Sequence, residues 1–388
     1  VFLAMSDPGL LFADCLQYSK YLHHGGLAVA NRRGQIIKQC NGSRLFIPAS
    51  VLKIATALAS IKILGEQYRF TTEFYFDPYS QVLTIKGFGD PLLVSEEVDR
   101  IVFELRKRGV SNVAGIIVDD SAFELEDTVP GGGESDNPYD APVAATSVNF
   151  NTVAVKINPG GEVQTAEVQT PFVPLMGELG MGYGEGEYRL NICQGESNNH
   201  NMTARYTAEL FFSIMQRSSI SVNGSWKRGK VSDGANLLYR HRSSRQLSEV
   251  IALCLQYSNN FTANSLFLAA GARRYGYPAT WEKGRRALNE ILTELLGEEM
   301  MRKVHVLEGS GLSRENRISV DALLRILQLF RPYDKLLPVK RGVLLKSGTM
   351  RGVYSYAGYL SEGGAAFAIL LNQAENTRDT LLDSLRPH

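Results

Sequence analysis

Apolar positions recur with two different spacings along this chain, and the places where the spacing changes outline its architecture. Near the start, Leu27-Ala28-Val29-Ala30 and Ile36-Ile37-Lys38-Gln39-Cys40 read as strands joined by a turn at Arg33-Gly34, with Phe46-Ile47 leading into Pro48. A nearly unbroken apolar run from Ser50 to Leu58 then reads as a helix. From about Thr71 strand-like segments return at Phe74-Tyr75-Phe76 and Val82-Leu83-Thr84-Ile85, followed by a helix from Ser95 to Arg108. Val153 to Ile157 reads as a strand and Tyr206 to Gln216 as a helix. Leu247 to Tyr257 is amphipathic, and Phe261 to Ala270 is a second helical run that Gly271 is expected to stop. In the last part, Gly342 to Thr349, Gly352 to Tyr359 and Ala366 to Leu371 predict three strands of an antiparallel meander. Glycine-rich stretches at 131–133 and 177–186 are expected to be long loops.

This order predicts an α/β (α+β) protein in which one domain is built from both ends of the chain, 1–70 and 235–388. An inserted mixed α/β domain, 71–234, interrupts it. With 388 residues, 44% of them hydrophobic, the chain is long enough for two or more domains with real cores. A net charge of +1 with dispersed signs argues against a nucleic-acid footprint, and the run Arg240 to Arg245, with His241, is expected to be a solvated loop face. No apolar segment is long enough to span a membrane. The apolar start, Val1 to Met5, lacks a basic leader and is cut off by Ser6-Asp7-Pro8-Gly9, so the expectation is that a signal peptide has been removed.

Candidate chemistry begins at the apolar helix. Ser50 and Lys53 form the only Ser-x-x-Lys of the chain, and residues three apart on a helix share a face. A serine is a poor nucleophile until a base takes its proton, and a lysine held in a dry site near other cations has a depressed pKa that suits it to that task. The only Lys-[Ser/Thr]-Gly, Lys346-Ser347-Gly348, is followed by Thr349 and lies on a predicted strand. There a glycine lets a substrate backbone approach, and a lysine with hydroxyls can hold a carboxylate. Ser-x-Asn begins at Ser135, Ser147, Ser197, Ser221 and Ser258. Ser135-Asp136-Asn137 sits in a loop between glycines and Pro138, whereas Ser258-Asn259-Asn260 joins two helices and is the better place for fixed polar groups.

Ser50-x-x-Lys53, Ser258-x-Asn260 and Lys346-Ser347-Gly348, in this order, resemble the motifs of the penicillin-recognising serine enzymes. The wide gap between the first two, with Gly89-Asp90-Pro91-Leu92-Leu93, Gly115 to Phe123, Tyr139-Asp140-Ala141-Pro142 and Gly309-Ser310-Gly311-Leu312-Ser313, resembles one family in particular. That family is the D-alanyl-D-alanine carboxypeptidase/endopeptidase family of low-molecular-mass class C penicillin-binding proteins. The resemblance implies a penicillin-binding transpeptidase-like domain whose antiparallel sheet is flanked by helices, with the active site against a helical cluster. The 160–195 region would correspond to a small third subdomain.

It also implies roles. Ser50 would be the acylated nucleophile, Lys53 its base, Ser258 a proton relay toward the leaving amine, Asn260 a holder of the substrate amide and Lys346 a charge supporting both. Ser347 and Thr349, beside Gly348, would bind the terminal carboxylate, and the N–H groups of Ser50 and Thr349 would form the oxyanion hole. Asp136, or alternatively Asp140, would contact the free amine of a stem-peptide diamino acid. The chain departs from the family pattern at Asn259 (usually Asp), Ser347 (usually Thr), Asn264 (usually acidic) and Glu308 (usually Asp).

The implied activity is a serine DD-peptidase acting on peptidoglycan stem peptides in a periplasmic or other extracytoplasmic location and acylated by β-lactam antibiotics. Peripheral association with the outer face of a membrane is compatible with it, and the oligomeric state stays open. Reading Tyr257-Ser258-Asn259 as a shifted Tyr-x-Asn keeps a serine β-lactamase as an alternative. The substitutions at Asn259 and Ser347 keep a non-catalytic peptidoglycan-binding descendant as another. No metal or organic cofactor is expected, because neither the six histidines nor Cys15, Cys40, Cys193 and Cys254 show ligand spacing. Four cysteines allow three complete pairings, and Cys15 and Cys254, in helix-like apolar contexts, are expected to be buried free thiols.

Overall fold

The structure, a computed structural model, describes residues 15–126, 128–133, 135–193, 199–360 and 364–386. Val1 to Met5, Ser197 and His388 lie outside the described residues. The chain forms two compact units, the first from residues 1–63, 251–263 and 285–388 and the second from 64–250 and 264–284.

The first unit is built on a six-stranded, wholly antiparallel sheet in the order Val339–Lys340, Val343–Met350, Val353–Tyr359, Ala366–Leu371, Gly25–Ala30, Ile36–Cys40. The predicted meander is present, and its last strand closes against the first strand of the chain. Gly25–Ala30 and Ala366–Leu371 are buried at every position, as strands covered on both faces must be. On one face Leu27, Val29, Phe367 and Ile369 pack with Leu381, Leu382 and Leu385 of the helix Arg378–Leu385. The helix Val320–Phe330 lies against the same two central strands, close enough that a Cβ on Gly26 would stand 2.5 Å from a Val320 methyl. Its N-cap is Ser319, whose hydroxyl accepts from the Ala322 N–H. The helix Lys53–Leu64 is buried from Lys53 through Ile61, so over that stretch it is enclosed on all sides rather than along one stripe.

The second unit holds a mixed five-stranded sheet in the order Ser221–Arg228, Asn112–Asp119, Val82–Gly87, Thr71–Asp77, Asn236–Arg242. Its first two pairings are parallel and its last two antiparallel. Helices Ser95–Lys107 and Asn199–Arg217 share an apolar core with this sheet, through Val98, Ile101, Leu105, Phe211 and Ile214. A three-stranded sheet, Val163–Thr165, Thr152–Ile157, Gly186–Asn191, contributes Val153, Val155 and Leu190 to the same core.

Four expectations are corrected. Gly271 does not stop its helix, which runs from Asn260 to Tyr275 and ends at Gly276 (φ 76°). Gly271 is there for packing: a Cβ on it would stand 2.6 Å from the Gly284 nitrogen. The 177–186 stretch is only partly loop, because Pro174 opens a helix that continues to Gly180. Cys15 is not a thiol but is disulfide-bonded to Cys40, while Cys193 and Cys254 are buried and outside any disulfide. The run from Arg240 is the end of a strand and not a solvated loop, so side chains alternate: Arg240 and Arg242 are exposed, and His241 is buried with its Nε2 2.9 Å from Glu97 Oε2.

Candidate active site

Lys53 opens an α-helix, but Ser50 belongs to the 3-10 turn Ala49–Leu52 before it. This differs from the expected single α-helix, and the difference serves the pair: in a 3-10 turn side chains three apart eclipse, and Lys53 Nζ stands 3.0 Å from Ser50 Oγ. Ala49 carries the strain, with a left-handed φ of 51°. The loop containing Gly311 crosses so close that a Cβ there would be 2.1 Å from the Ala49 carbonyl oxygen, so only glycine fits.

The Lys53 amine is buried with three neighbours: Ser50 Oγ at 3.0 Å, Asn260 Oδ1 at 2.7 Å and the Ser310 carbonyl oxygen at 2.7 Å. A protonated amine donates to all three. A neutral amine keeps two N–H donors and one lone pair; Asn260 Oδ1 and the Ser310 carbonyl can only accept, so the lone pair faces the Ser50 hydroxyl. Burial lowers the Lys53 pKa from 10.5 to about 8, with Cys254 and Glu308 acting the other way. Burial also pushes the Cys254 thiol up to about 11, so at neutral pH it is uncharged and Glu308 is the group that counters burial.

Glu308 is fully buried. Its carboxylate accepts from the Ser310 N–H and hydroxyl at 2.6 Å each, the Ser313 N–H at 3.2 Å and Asn316 Nδ2 at 2.8 Å. These bonds hold the loop whose Ser310 carbonyl meets Lys53 and whose Gly309 carbonyl accepts from Thr56 at 2.7 Å.

Ser258 sits between the helices Leu247–Tyr257 and Asn260–Tyr275 with a left-handed φ of 57°, and its hydroxyl accepts from Lys346 Nζ at 2.8 Å. Burial first, then the charge of Lys53, lowers the Lys346 pKa to about 6. Asn259 has a role that the motif alone did not suggest: its Oδ1 accepts from the Thr262 N–H at 2.8 Å, capping the following helix. Asparagine and aspartate cap almost equally well, so the departure preserves the local structure.

Lys346, Ser347, Gly348 and Thr349 lie on the strand Val343–Met350, which packs on the 3-10 turn of Ser50. A Cβ on Gly348 would stand 2.9 Å from both the Pro48 carbonyl oxygen and the Ser50 nitrogen. Two cations outside the motifs reach the strand's hydroxyls. Lys340 Nζ donates to Ser347 Oγ at 3.2 Å, and Arg378 Nη1 donates to Thr349 Oγ1 at 2.7 Å and to the Gly348 carbonyl at 2.8 Å.

The first unit thus brings together Ser50, Lys53, Ser258, Asn260 and Lys346, with Ser347, Gly348 and Thr349 on the adjoining strand. Asp136 and Asp140 belong to the second unit. The Asp136 carboxylate accepts from the Tyr183 hydroxyl at 2.6 Å, and Asp140 accepts from the Gly133 N–H at 3.0 Å. Sequence reasoning assigned no role to the Ser310 carbonyl, Lys340 or Arg378, and it registered Glu308 only as a departure. A backbone acceptor has no residue signature, and Arg378 follows Thr349 by 29 positions.

A serine hydroxyl facing the lone pair of a buried lysine, with a second serine–lysine pair beside it, is the equipment of an acyl-transferring serine hydrolase. The chain belongs to the D-Ala-D-Ala carboxypeptidase 3 (S13) family, whose pattern matches residues 20–176 and 194–339, well over half of its length. Among curated proteins it is similar to the D-alanyl-D-alanine carboxypeptidase DacB of Haemophilus influenzae, 25% identical over 87% of this chain and 82% of that one. It is also similar to a D-alanyl-D-alanine carboxypeptidase of an Actinomadura species, 27% identical over 90% of this chain and 77% of that one. Among solved structures its fold is similar to penicillin binding protein 4 of Haemophilus influenzae, with a TM-score of 0.74 and 22% identity over 91% of each chain. That protein has also been solved in complex with a β-lactam. Lys346 to Thr349 lie beyond the segments matched by the family pattern.

Proposed function

We propose that this chain is a serine DD-peptidase that cleaves D-Ala-D-Ala termini or D-amino-acid cross-links of peptidoglycan through an acyl-enzyme on Ser50, and that β-lactams acylate the same hydroxyl. The observation that carries the reading is the Lys53 amine, whose two acceptor-only neighbours leave its lone pair to Ser50. Lys53 takes the Ser50 proton as Oγ attacks the carbonyl carbon. Ser258, hydrogen-bonded to Lys346, passes its proton to the departing amine, and the proton that Lys53 took from Ser50 replaces it, so Lys53 is neutral and Ser258 protonated again. Water then attacks the ester, Lys53 takes a proton from it and returns that proton to Ser50 Oγ as the acid is released. The Ser347 and Thr349 hydroxyls receive the terminal carboxylate of the substrate.

Family membership and the curated relatives support the substrate class. The Cys15–Cys40 disulfide supports an oxidising, extracytoplasmic compartment such as the periplasm. The β-lactamase alternative has less support: Asn260 and Ser258 meet the two lysines, whereas Asn259 is engaged as a helix cap and Tyr257 is 74% exposed.

In this reading the first unit carries the chemistry and Asp136 of the second selects an amine-bearing stem side chain. Asp136→Ala should weaken that preference among matched peptides, and an unchanged preference would count against it. The activity itself is tested by D-alanine release from a blocked peptide ending in D-Ala-D-Ala. Release by the native chain that is lost in Ser50→Ala and Lys53→Met supports the proposal, and no release by the native chain refutes it.

A further inference from the structure

We propose that Lys340 and Arg378 form a two-sided clamp that turns the Ser347 and Thr349 hydroxyls into dedicated donors, making the site selective for substrates with a free carboxylate on the leaving residue. This rests on the DD-peptidase reading above and adds to it two residues that lie outside every motif.

A hydroxyl has one proton and two lone pairs. Thr349 Oγ1 accepts from Arg378 Nη1 at 2.7 Å, and Ser347 Oγ accepts from Lys340 Nζ at 3.2 Å. In each case a cation fills a lone pair, so the hydroxyl proton turns away from it and needs another acceptor. Ser347 and Thr349 are two apart on a strand and therefore share a face, so both donors point to the same side. The partner that satisfies two such donors beside two positive charges is an anion with more than one acceptor oxygen, as a carboxylate is.

Arg378 is held for this purpose rather than left loose on the surface. Its guanidinium stacks 4.5 Å from the Tyr356 ring centre, and its second bond from Nη1 ties it to the Gly348 carbonyl at 2.8 Å. The Tyr356 hydroxyl is fixed in turn by Asp379 at 2.8 Å, next in the chain to Arg378. Among the described residues Arg378 Nε is buried with no hydrogen-bond partner, so their bonds leave the guanidinium partly unsatisfied. Lys340 reaches the strand from its antiparallel neighbour, where it pairs with Val343. Both cations act on Lys346 as well, adding to the lowering of its pKa. An arriving carboxylate offsets the positive charges of Lys340 and Arg378, which a neutral carboxamide cannot do.

The experiment compares kcat/KM for a blocked peptide ending in D-Ala-D-Ala with that for the same peptide ending in a carboxamide, in the full chain and in Arg378→Met, Arg378→Lys and Lys340→Met. Benzylpenicillin labelling of Ser50 is measured in parallel. The expected result is a native preference for the carboxylate that falls about 10- to 100-fold in Arg378→Met, the size of one lost charge-assisted bond, through the carboxylate substrate alone. Arg378→Lys keeps the charge and recovers part of the preference, and Lys340→Met lowers it as well. An unchanged preference in Arg378→Met and Lys340→Met, or an equal fall for both substrates, overturns the clamp while leaving Ser50 labelling intact. If the native chain is neither labelled nor active, the DD-peptidase reading fails and the clamp fails with it.

Discussion

The Lys53 amine sets a quantitative expectation for how acylation depends on pH. Its pKa lies at about 8 because burial penalises the charged form, and the neutral form is the one that can take the Ser50 proton. Neutral lysine should therefore make up about a tenth of the total at pH 7, half at pH 8 and about nine tenths at pH 9. The second-order rate of Ser50 acylation by benzylpenicillin should rise about tenfold from pH 7 to 9 and flatten above that. A lysine left at 10.5 would instead give a rise close to a hundredfold over the same interval with no plateau. Replacing Glu308 with glutamine removes the buried charge that holds Lys53 up, so the whole profile should move toward lower pH. Glutamine keeps only one acceptor oxygen against four donors, so the variant should also lose about 3 kcal/mol or more of stability. The assay is mass-resolved labelling of Ser50 across pH 6 to 10, with far-UV circular dichroism to confirm folding at each point. A profile still climbing steeply past pH 9.5, or one that Glu308→Gln leaves in place, would refute the assignment of Lys53 as the base.

Other outcomes follow from the same geometry. The depressed Lys53 pKa means that the unfolded chain binds more protons than the folded one between about pH 8 and 10.5, so folding stability should rise with pH across that window; denaturant midpoints read it directly. Asn259→Ala should cost about 1 kcal/mol as a lost helix cap, whereas Asn259→Asp should be nearly neutral in thermal unfolding. Gly348→Ala places a methyl within 2.9 Å of the Ser50 nitrogen and should slow acylation about 10- to 100-fold with a smaller loss of stability, measured by labelling rate against melting temperature. Reducing the Cys15–Cys40 bond, which spans 25 residues, should lower stability by about 3 kcal/mol while the folded fraction keeps its Ser50 reactivity.

Much of the catalytic unit was legible in the residues because its elements are extreme cases of simple patterns. Gly25–Ala30 and Ala366–Leu371 are apolar without alternation, and Lys53–Leu64 is buried on every side, so each was recognisable without a partner in view. The Ser-x-x-Lys and Lys-Ser-Gly motifs were legible because their geometry is local: a single turn brings Ser50 to Lys53, and one strand carries Ser347 and Thr349.

What stayed hidden depends on contacts between distant segments. Gly271 and Gly276 look alike in sequence, yet one is small because Gly284 presses on it and the other ends the helix through its positive φ. The pairing of Cys15 with Cys40 depends on tertiary placement that local context does not reveal. His241 was misread because charge was counted along the run without the period of two that a strand imposes. The third ligand of the Lys53 amine is a carbonyl oxygen, and the residue that holds it in place, Glu308, registered only as a departure from a family pattern.

The central claim is that Ser50 is the residue acylated, and intact-protein mass spectrometry after incubation with benzylpenicillin tests it most directly. The native chain should gain one penicilloyl mass, located to the Ser50 peptide, and Ser50→Ala should gain none. A native chain that stays unmodified without hydrolysing the drug, or an adduct that persists in Ser50→Ala, would contradict the account.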